Sequence, residues 1–436
     1  MLARTAVAAL AGACMLAIAG AVPAAADASG WSRPFRLTSP YSTDLTPASV
    51  AVAADGTAAA GFSAQEEDQP AVSQPFVAMR SSGGKVSSPR SVPSAQLVLD
   101  MTFAGSTLKL LTAGSESGKP CCSTVQAVSL ANGKLGRPQT LVGKLTGATI
   151  GNLTTLPSGR LLATIATDRG VWVAQSRPGS GFGKTHRLTA GSAMPWTVAA
   201  SADARGQTVV MWIATHGQQG EIAPTQIVAA AGSERGAPGN ARTVFTASAG
   251  RSIDELALGS AGGAVTGGWI ESWFDRGVYR AQVVVSDLAA SSRGRVYSIT
   301  GLTPSGLQIA GNGRGDQIIT WKLCGSSGTC TVAAAVRRRG GQFGAAQNLG
   351  SIDPGQSPVA AVASDGDSLV GWISSGQAYV AERRPSDSRL GARRAVSSTT
   401  YASNLALAFG PGRTALAAWT QGTLAPDVVG AVFSGS

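Results

Sequence analysis

The chain is poor in the residues from which most catalytic chemistry is built. Its 436 residues include two histidines, His186 and His216, five cysteines, 6% aromatics and 14% charged residues. It holds no His-Glu-x-x-His pair, no Gly-x-Ser-x-Gly elbow and no phosphate-cradling glycine loop, which excludes the zinc, serine and nucleotide-dependent hydrolase patterns. Beyond residue 22 no apolar run approaches the roughly 18 residues of a membrane span. No stretch reads as an amphipathic helix of useful length. What is abundant is turn-forming: 56 glycines and 21 prolines accompany 44% hydrophobic residues. That hydrophobic content is too high for a disordered chain, and the absence of a Gly-x-y period excludes a collagenous one.

Arg4, an apolar run from Thr5 to Val22 and then Pro23-Ala-Ala-Ala-Asp-Ala28 follow the charged, apolar and small-residue order of a secretory signal. Residues 1–28 are therefore expected to be removed on export, with cleavage after Ala26 or Ala28. Cys14 lies inside the apolar run, and Ala11 stands where a lipoprotein signal carries a large aliphatic residue, which argues against lipidation. The expected location is extracellular or at the cell envelope. Four cysteines then remain, an even number in an oxidising compartment, so disulfides are expected rather than a metal or redox site. Cys324 and Cys330 flank the turn-like Gly325-Ser-Ser-Gly-Thr329 and would staple a hairpin mouth. The adjacent Cys121 and Cys122 would form a vicinal bond, serving either as a rigid loop or as a ligand-facing plate.

One repeat runs through residues 29–436. A glycine is followed six residues later by Trp or another large apolar residue, from Gly56 to Phe62, Gly105 to Leu111, Gly159 to Ile165, Gly206 to Trp212, Gly263 to Trp269, Gly315 to Trp321 and Gly366 to Trp372, and with one extra residue from Gly412 to Trp419. The end points are 49, 54, 47, 57, 52, 51 and 47 residues apart. An alternating run precedes each glycine, so the turn joins two strands as a hairpin. Third and fourth strands follow, as in Gln377–Arg383 and Leu390–Val396 around a turn at Arg384-Pro-Ser-Asp387. Four antiparallel strands in about 50 residues make a propeller blade. The whole is expected to be an all-β propeller of eight blades, or seven if the weakly matching second unit is distorted. Trp31–Leu37 matches a fourth strand and Asp427–Phe433 a third, which predicts closure of the last blade by the N-terminal strand.

The glycine, the strand-ending Trp, and the Val-Ala-x-Arg third strand with its Gly/Phe-Gly turn resemble the degenerate propeller repeats of secreted actinobacterial proteins often called sialidase-like. Sialidases carry Asp-boxes of the form Ser-x-Asp-x-Gly-x-Thr-Trp. The nearest segment here is Ser201-Ala-Asp203-Ala-Arg-Gly206-Gln-Thr208, with Trp212 four residues late, so the resemblance carries over the fold alone. Sialidase chemistry also needs three arginines to clamp a carboxylate. The loops of the face made by fourth-to-first and second-to-third links supply only Arg251 and Arg276. Glu271 with Tyr279 is the one pairing of the nucleophile type, and no third group is identifiable to orient it.

The reading that results is a secreted, non-catalytic binding or scaffolding propeller, monomeric and without cofactor or metal, whose partner is a glycan, a cell-envelope polymer or a protein. The contact surface is expected on the variable-loop face, with Trp273, Phe274, Asp275 and Arg276 in a long loop of unit five. Glu66, Glu67 and Asp68 in unit one, Trp196 and His216 join it. The alternative is a divergent sialidase-like hydrolase or lyase using carboxylates such as Asp254, Glu255 or Glu271. The Trp series from 212 to 419 is read as packing between blades rather than as a sugar platform. The net charge of +11 concentrates in arginines of the third-to-fourth turns, among them Arg177, Arg235, Arg293, Arg337, Arg338, Arg339, Arg383, Arg384 and Arg389. These would draw the protein to anionic polymers; no element suited to reading nucleic acid is present.

Overall fold

The structure is a computed structural model that describes residues 30–434, apart from 39–45, 67–68, 116–121, 146–148, 178–179, 190–194, 216–224, 261, 289–293, 399, 412 and 424–425. Among the described residues there is no helix, and the strands form eight antiparallel sheets. Blade 1 runs from Thr46–Val52 to Arg90–Ser91, blade 2 from Leu97–Ala104 to Gln139–Val142, blade 3 from Ile150–Thr155 to His186–Arg187, and blade 4 from Pro195–Ala202 to Arg242–Thr246. Blade 5 runs from Arg251–Ser260 to Val296–Thr300, blade 6 from Thr303–Gly311 to Gln347–Ile352, and blade 7 from Val359–Val362 to Arg394–Ala395. Blade 8 takes its first three strands from Ala402–Phe409, Thr414–Gln421 and Asp427–Ser434 and its fourth from Phe35–Arg36 near the other end of the chain. The eight-bladed ring is closed as the repeat requires, with Phe35 opposite Gly430 and Arg36 opposite Val429.

The core is distributed, with one apolar cluster at each junction between blades. For example, Val370, Trp372 and Ala381 of blade 7 meet Ile318, Val332 and Leu349 of blade 6, and Phe62 and Ala60 of blade 1 meet Leu416 and Val428 of blade 8. A blade therefore has no core of its own, because both of its faces are buried only by its neighbours. The tryptophans at the ends of the second strands fill these junctions: Trp212, Trp269, Trp321, Trp372 and Trp419 are all at most 5% exposed. The turn glycines ahead of them take left-handed backbone, with φ of +83° at Gly56, +77° at Gly206 and +104° at Gly366, a conformation other residues adopt only at a cost.

Two units depart from the regular spacing. In blade 2 the hairpin is tightened to the pair Gly105-Ser106, with Ala104 opposite Thr107, so Leu110 rather than Leu111 faces blade 1 and Leu111 faces blade 3. A strand alternates faces with period two, so a shift of one residue in the turn exchanges the sides. This blade is not distorted otherwise; it carries one additional two-residue strand, Lys134–Leu135. In blade 5 the left-handed residue is Gly262, not Gly263.

Successive antiparallel strands place the second-to-third and fourth-to-first links on an upper face and the other two kinds of turn on a lower face. Not all of the lower-face arginines are solvated. Arg383 is 1% exposed and donates to the carbonyls of Asp387 and Gly366 at 2.9 and 3.1 Å. Arg337 of blade 6 reaches back to blade 5, with Nη1 2.6 Å from Asp287 Oδ1 and Nη2 2.9 Å from Oδ2. Both guanidiniums are structural ties, whereas Arg177, Arg235, Arg338, Arg339, Arg384 and Arg389 are exposed; Arg293 lies outside the described residues.

Two outcomes follow for stability. Trp372→Ala should cost about 3–5 kcal/mol in denaturant unfolding, and Trp372→Phe less than half of that, because the buried Trp372 Nε1 has no hydrogen-bond partner to lose. Burial alone would raise the pKa of Asp287, but hydrogen bonds from Arg337 and Thr266 and the Arg337 charge outweigh it and lower the pKa below the usual carboxylate value. The pair then contributes stability above the unfolded Asp pKa of about 3.9, and that contribution is lost as pH falls through the lower folded value. Arg337→Ser should remove this acid-side component, as measured by unfolding midpoints between neutral and acidic pH.

Candidate functional site

The upper face of blade 5 carries the most distinctive chemistry. Its second and third strands, Val265–Asp275 and Val278–Asp287, stay paired up to Asp275 opposite Val278. Arg276 and Gly277 close them with φ of +49° and +81°, the two positive angles of a type I′ turn that suits the twist of a tight hairpin. Residues 271–276, expected as a long loop, are thus a strand extension capped by a two-residue turn. The expectation failed because the tip, Phe274 to Arg276, is exposed and has no buried face to impose an apolar alternation, while the buried positions below it, Glu271 and Ser272, are polar. The Arg-Gly pair was the available signal.

The strand register sorts the side chains onto two sides. On one, Arg251 lies with its guanidinium carbon 4.0 Å from the centroid of the Trp273 ring and its Nη1 3.3 Å from Glu271 Oε1. Glu271 is fully buried and also accepts from Gln282 Nε2. On the other, Ser252 and Ser272 donate to the two oxygens of Asp254 at 2.7 and 2.6 Å, and the Phe274 and Tyr279 rings meet edge to face at 5.6 Å. Tyr279 stands opposite Phe274, and Glu271 opposite Gln282. Strand alternation therefore puts Tyr279 and Glu271 on opposite sides of the sheet, and the nucleophile pairing is not assembled. Burial, with the Asp254 charge, raises the Tyr279 pKa above that of an ordinary phenol, although a hydrogen bond with Ser272 opposes the shift. At the tip Phe274 is 73% exposed, while Trp273 is half-buried beneath Arg251.

A second group of polar side chains lines the central channel, and the sequence reading missed most of it. Asp100 is partly buried; desolvation raises its pKa, against hydrogen bonds from Leu153 N, Ser49 Oγ and Met101 N. Glu255 accepts from Gly306 N at 2.9 Å and Leu307 N at 2.6 Å, Gln308 from Ala360 N at 3.2 Å and Gln356 from Asn404 N at 2.7 Å. Each acceptor reaches from one blade into the first strand of the next, and several targets lie at bulges where the inner strand shifts register, as at Ser305/Gln308 and Ser403/Ala406. Asp100, Gln308, Gln356 and Asn404 border a channel cavity of about 500 Å³. The sign in the sequence was a lone carboxylate inside an apolar strand, Leu97-Val-Leu-Asp100-Met.

The remaining expected site residues are not gathered there. Glu67, Asp68, His216 and Cys121 lie outside the described residues, as do the side chains of Glu66 and Trp196, whose backbones fall in the strands Ala58–Glu66 and Pro195–Ala202. Asp275 is 3.8 Å from Arg280 Nε, and Arg276 is exposed in the turn. A further exposed aromatic outside that set, Tyr401, belongs to the link between blades 7 and 8, three blades round the ring from the hairpin. Cys324 and Cys330 are bonded and sit opposite each other at the top of a blade 6 hairpin. Cys122 is likewise disulfide-bonded.

No protein-family model matches the sequence, and no curated protein matches it. Among solved structures the chain is similar to the polysaccharide lyase Uly1, at a TM-score of 0.50 and 10% identity over 78% of this chain and 90% of that one. It is also similar to an ulvan lyase described as a new family of polysaccharide lyase, PL25, with TM-score 0.47, 10% identity and coverage of 91% and 95%. A third neighbour is the Hadza microbial sialidase Hz136, with TM-score 0.41, 12% identity and coverage of 92% of each chain. At 10% identity the likeness to Uly1 is one of fold, alongside the eight-bladed propeller that the sheets themselves form.

The channel acceptors should behave as structural groups. Glu255→Ala leaves the Gly306 and Leu307 amides without their acceptor and should destabilise the protein by about 1–3 kcal/mol. Denaturant unfolding of the variant checks this; an unchanged midpoint would show that water replaces the carboxylate.

Proposed function

We propose that the protein is a secreted, non-catalytic binding or scaffolding propeller whose partner docks on the blade 5 hairpin. The observation that carries this reading is Phe274, a large apolar side chain left 73% exposed at the tip of a hairpin held in register as far as Asp275 and Val278. Rigid aromatics presented in this way supply contact energy at little entropic cost. The Phe274–Tyr279 edge and the Arg251–Trp273 stack offer two aromatic flanks, which suit the faces of sugar rings or apolar side chains of a protein. The partner class is a glycan, an envelope polymer or a protein.

A glycosidase or lyase needs an acid and a base free to exchange protons with substrate. Here Glu271 is buried against Arg251, Glu255 is bound to two amides, and Asp254 is held by two serines. A phenol whose pKa is raised is also a poor nucleophile at neutral pH. Removal of residues 1–28 and location outside the cytoplasmic membrane are part of the same proposal, and the Cys324–Cys330 bond is the product expected of an oxidising compartment.

The test is a glycan array together with a pull-down from envelope extract, using the purified chain and its Phe274→Ala variant. Retained ligands should be bound about tenfold or more weakly by the variant with no change in melting temperature. Equal binding by both proteins would move the contact surface elsewhere, and cleavage of any array glycan would replace the binder with an enzyme.

A further inference from the structure

The lower face holds an open cleft of about 530 Å³ between the first turns of blades 4, 5 and 6 and the last turn of blade 6. It lies at the end of the ring opposite the blade 5 hairpin and contains none of that hairpin's residues. Three of its side chains are the guanidiniums of Arg205, Arg314 and Arg339. All three residues are exposed, and among the described residues none of these side chains has a hydrogen-bond or ion-pair partner. A fourth, Arg337, is tied to Asp287 at 2.6 Å.

Like charges converging on one cavity repel one another unless an anion joins them, and the nearby carboxylates are committed elsewhere. Asp203, 5% exposed, accepts from its own turn, the amides of Arg205 and Gln207, at 2.9 and 2.8 Å. Asp316 is 3.7 Å from the buried Arg383, and Glu234 accepts from Ser158 N at 3.2 Å. The walls are kept open by glycine. A Cβ on Gly262 would come within 3.3 Å of the Arg314–Gly315 backbone, and one on Gly263 within 3.5 Å of the Arg205 guanidinium. The backbone is held in this shape across blades, with Ala204 N donating to Gly262 O at 2.6 Å and Gly262 N to Asn312 O at 3.3 Å.

We infer that this cleft is a second binding site, for a polysaccharide bearing carboxylate or sulfate groups. Guanidinium forks match the planar or tetrahedral oxygens of such groups. The cleft exceeds the size of a single small anion, and three separate forks fit oxyanions spaced along a chain. The glycine walls admit a polymer backbone close to the protein, and among the described residues the lining offers, besides glycines and arginines, Ala204 alone, which does not supply the large apolar insertion residues that a membrane surface requires. Attraction to this site depends on ionic strength, as for any contact made by exposed charges.

The experiment measures binding of the purified full chain to dextran sulfate and to polygalacturonate at near-physiological salt, with neutral dextran and polyphosphate as comparison polymers. The triple variant Arg205→Ser, Arg314→Ser, Arg339→Ser should bind the acidic polysaccharides about tenfold or more weakly and with a shallower salt dependence. Arg177→Ser, Arg384→Ser, Arg389→Ser removes the same charge from exposed positions of the same face and should stay within about threefold of the parent. Equal losses in the two triples would overturn the site in favour of diffuse attraction. Failure of the parent to bind either acidic polysaccharide, or tighter binding to polyphosphate than to both, would overturn the ligand class.

Discussion

The structure depends on closing the ring. Each blade is a sheet with two apolar faces, so an open row of eight would leave one face of its first blade and one of its last in water. The seam that prevents this joins residues about 400 positions apart: Ser32 Oγ bonds to Val432 N at a separation of 400 and Thr38 Oγ1 to Asp427 Oδ1 at 389. Arg36 adds an ion pair to Asp427 at 2.6 Å, and Trp31 packs on Phe433 at 5.3 Å while its indole donates to Glu382 of blade 7. The N-terminal strand itself is two residues long, but backbone pairing continues on both sides of it, through the Trp31–Phe433 bridge and the bonds from Ser32 N to Val432 O, Leu37 N to Val428 O and Ser434 N to Gly30 O, with the flanking side chains adding to it. That arrangement makes the last blade a joint product of both ends of the chain.

The same constraint governs the channel. Inner strands cannot meet their neighbours by ordinary ladder bonds, because adjacent blades are stacked face to face rather than edge to edge. Side-chain acceptors supply the missing link at separations close to one repeat: 53 between Asp100 and Leu153, 51 between Glu255 and Gly306, 52 between Gln308 and Ala360, and 48 between Gln356 and Asn404. All run from one blade to the next in chain order. Ser49, which accepts from Met101 N across a separation of 52, follows the same direction. The donors are backbone amides, several of them freed by bulges, which would otherwise be costly to bury.

This explains what could be read in advance. The Gly-to-Trp spacing was legible because strand alternation and the left-handed turn act locally, and the closure was legible because an unpaired fourth strand at one end matched a missing one at the other. The Cys324–Cys330 hairpin was legible for the same local reason. The channel acceptors were not, since nothing in a lone Glu or Gln tells which amide fifty residues away it will meet. Blade 2 was misregistered because Leu110 and Leu111 are chemically equal candidates and only the two-residue turn decides between them. The blade 5 hairpin was mistaken for a loop because the period that betrays a strand comes from burial, and its tip is not buried.

A division of labour between the two faces follows from where the ring spends its polar groups. Inside the channel, the carboxylates of Asp100 and Glu255 and the side-chain amides of Gln308 and Gln356 are consumed by holding blades together. The links that project above and below are under no such demand. On the upper side one hairpin uses that freedom to expose Phe274 at its tip. On the lower side the turns of blades 4 and 6 leave three guanidiniums without a partner among the described residues, although the adjoining Arg337 and Arg383 have been drawn into structural bonds. Arginines of similar sequence position thus differ in role according to whether a carboxylate of the next turn reaches them, which is a property of the ring and not of the repeat.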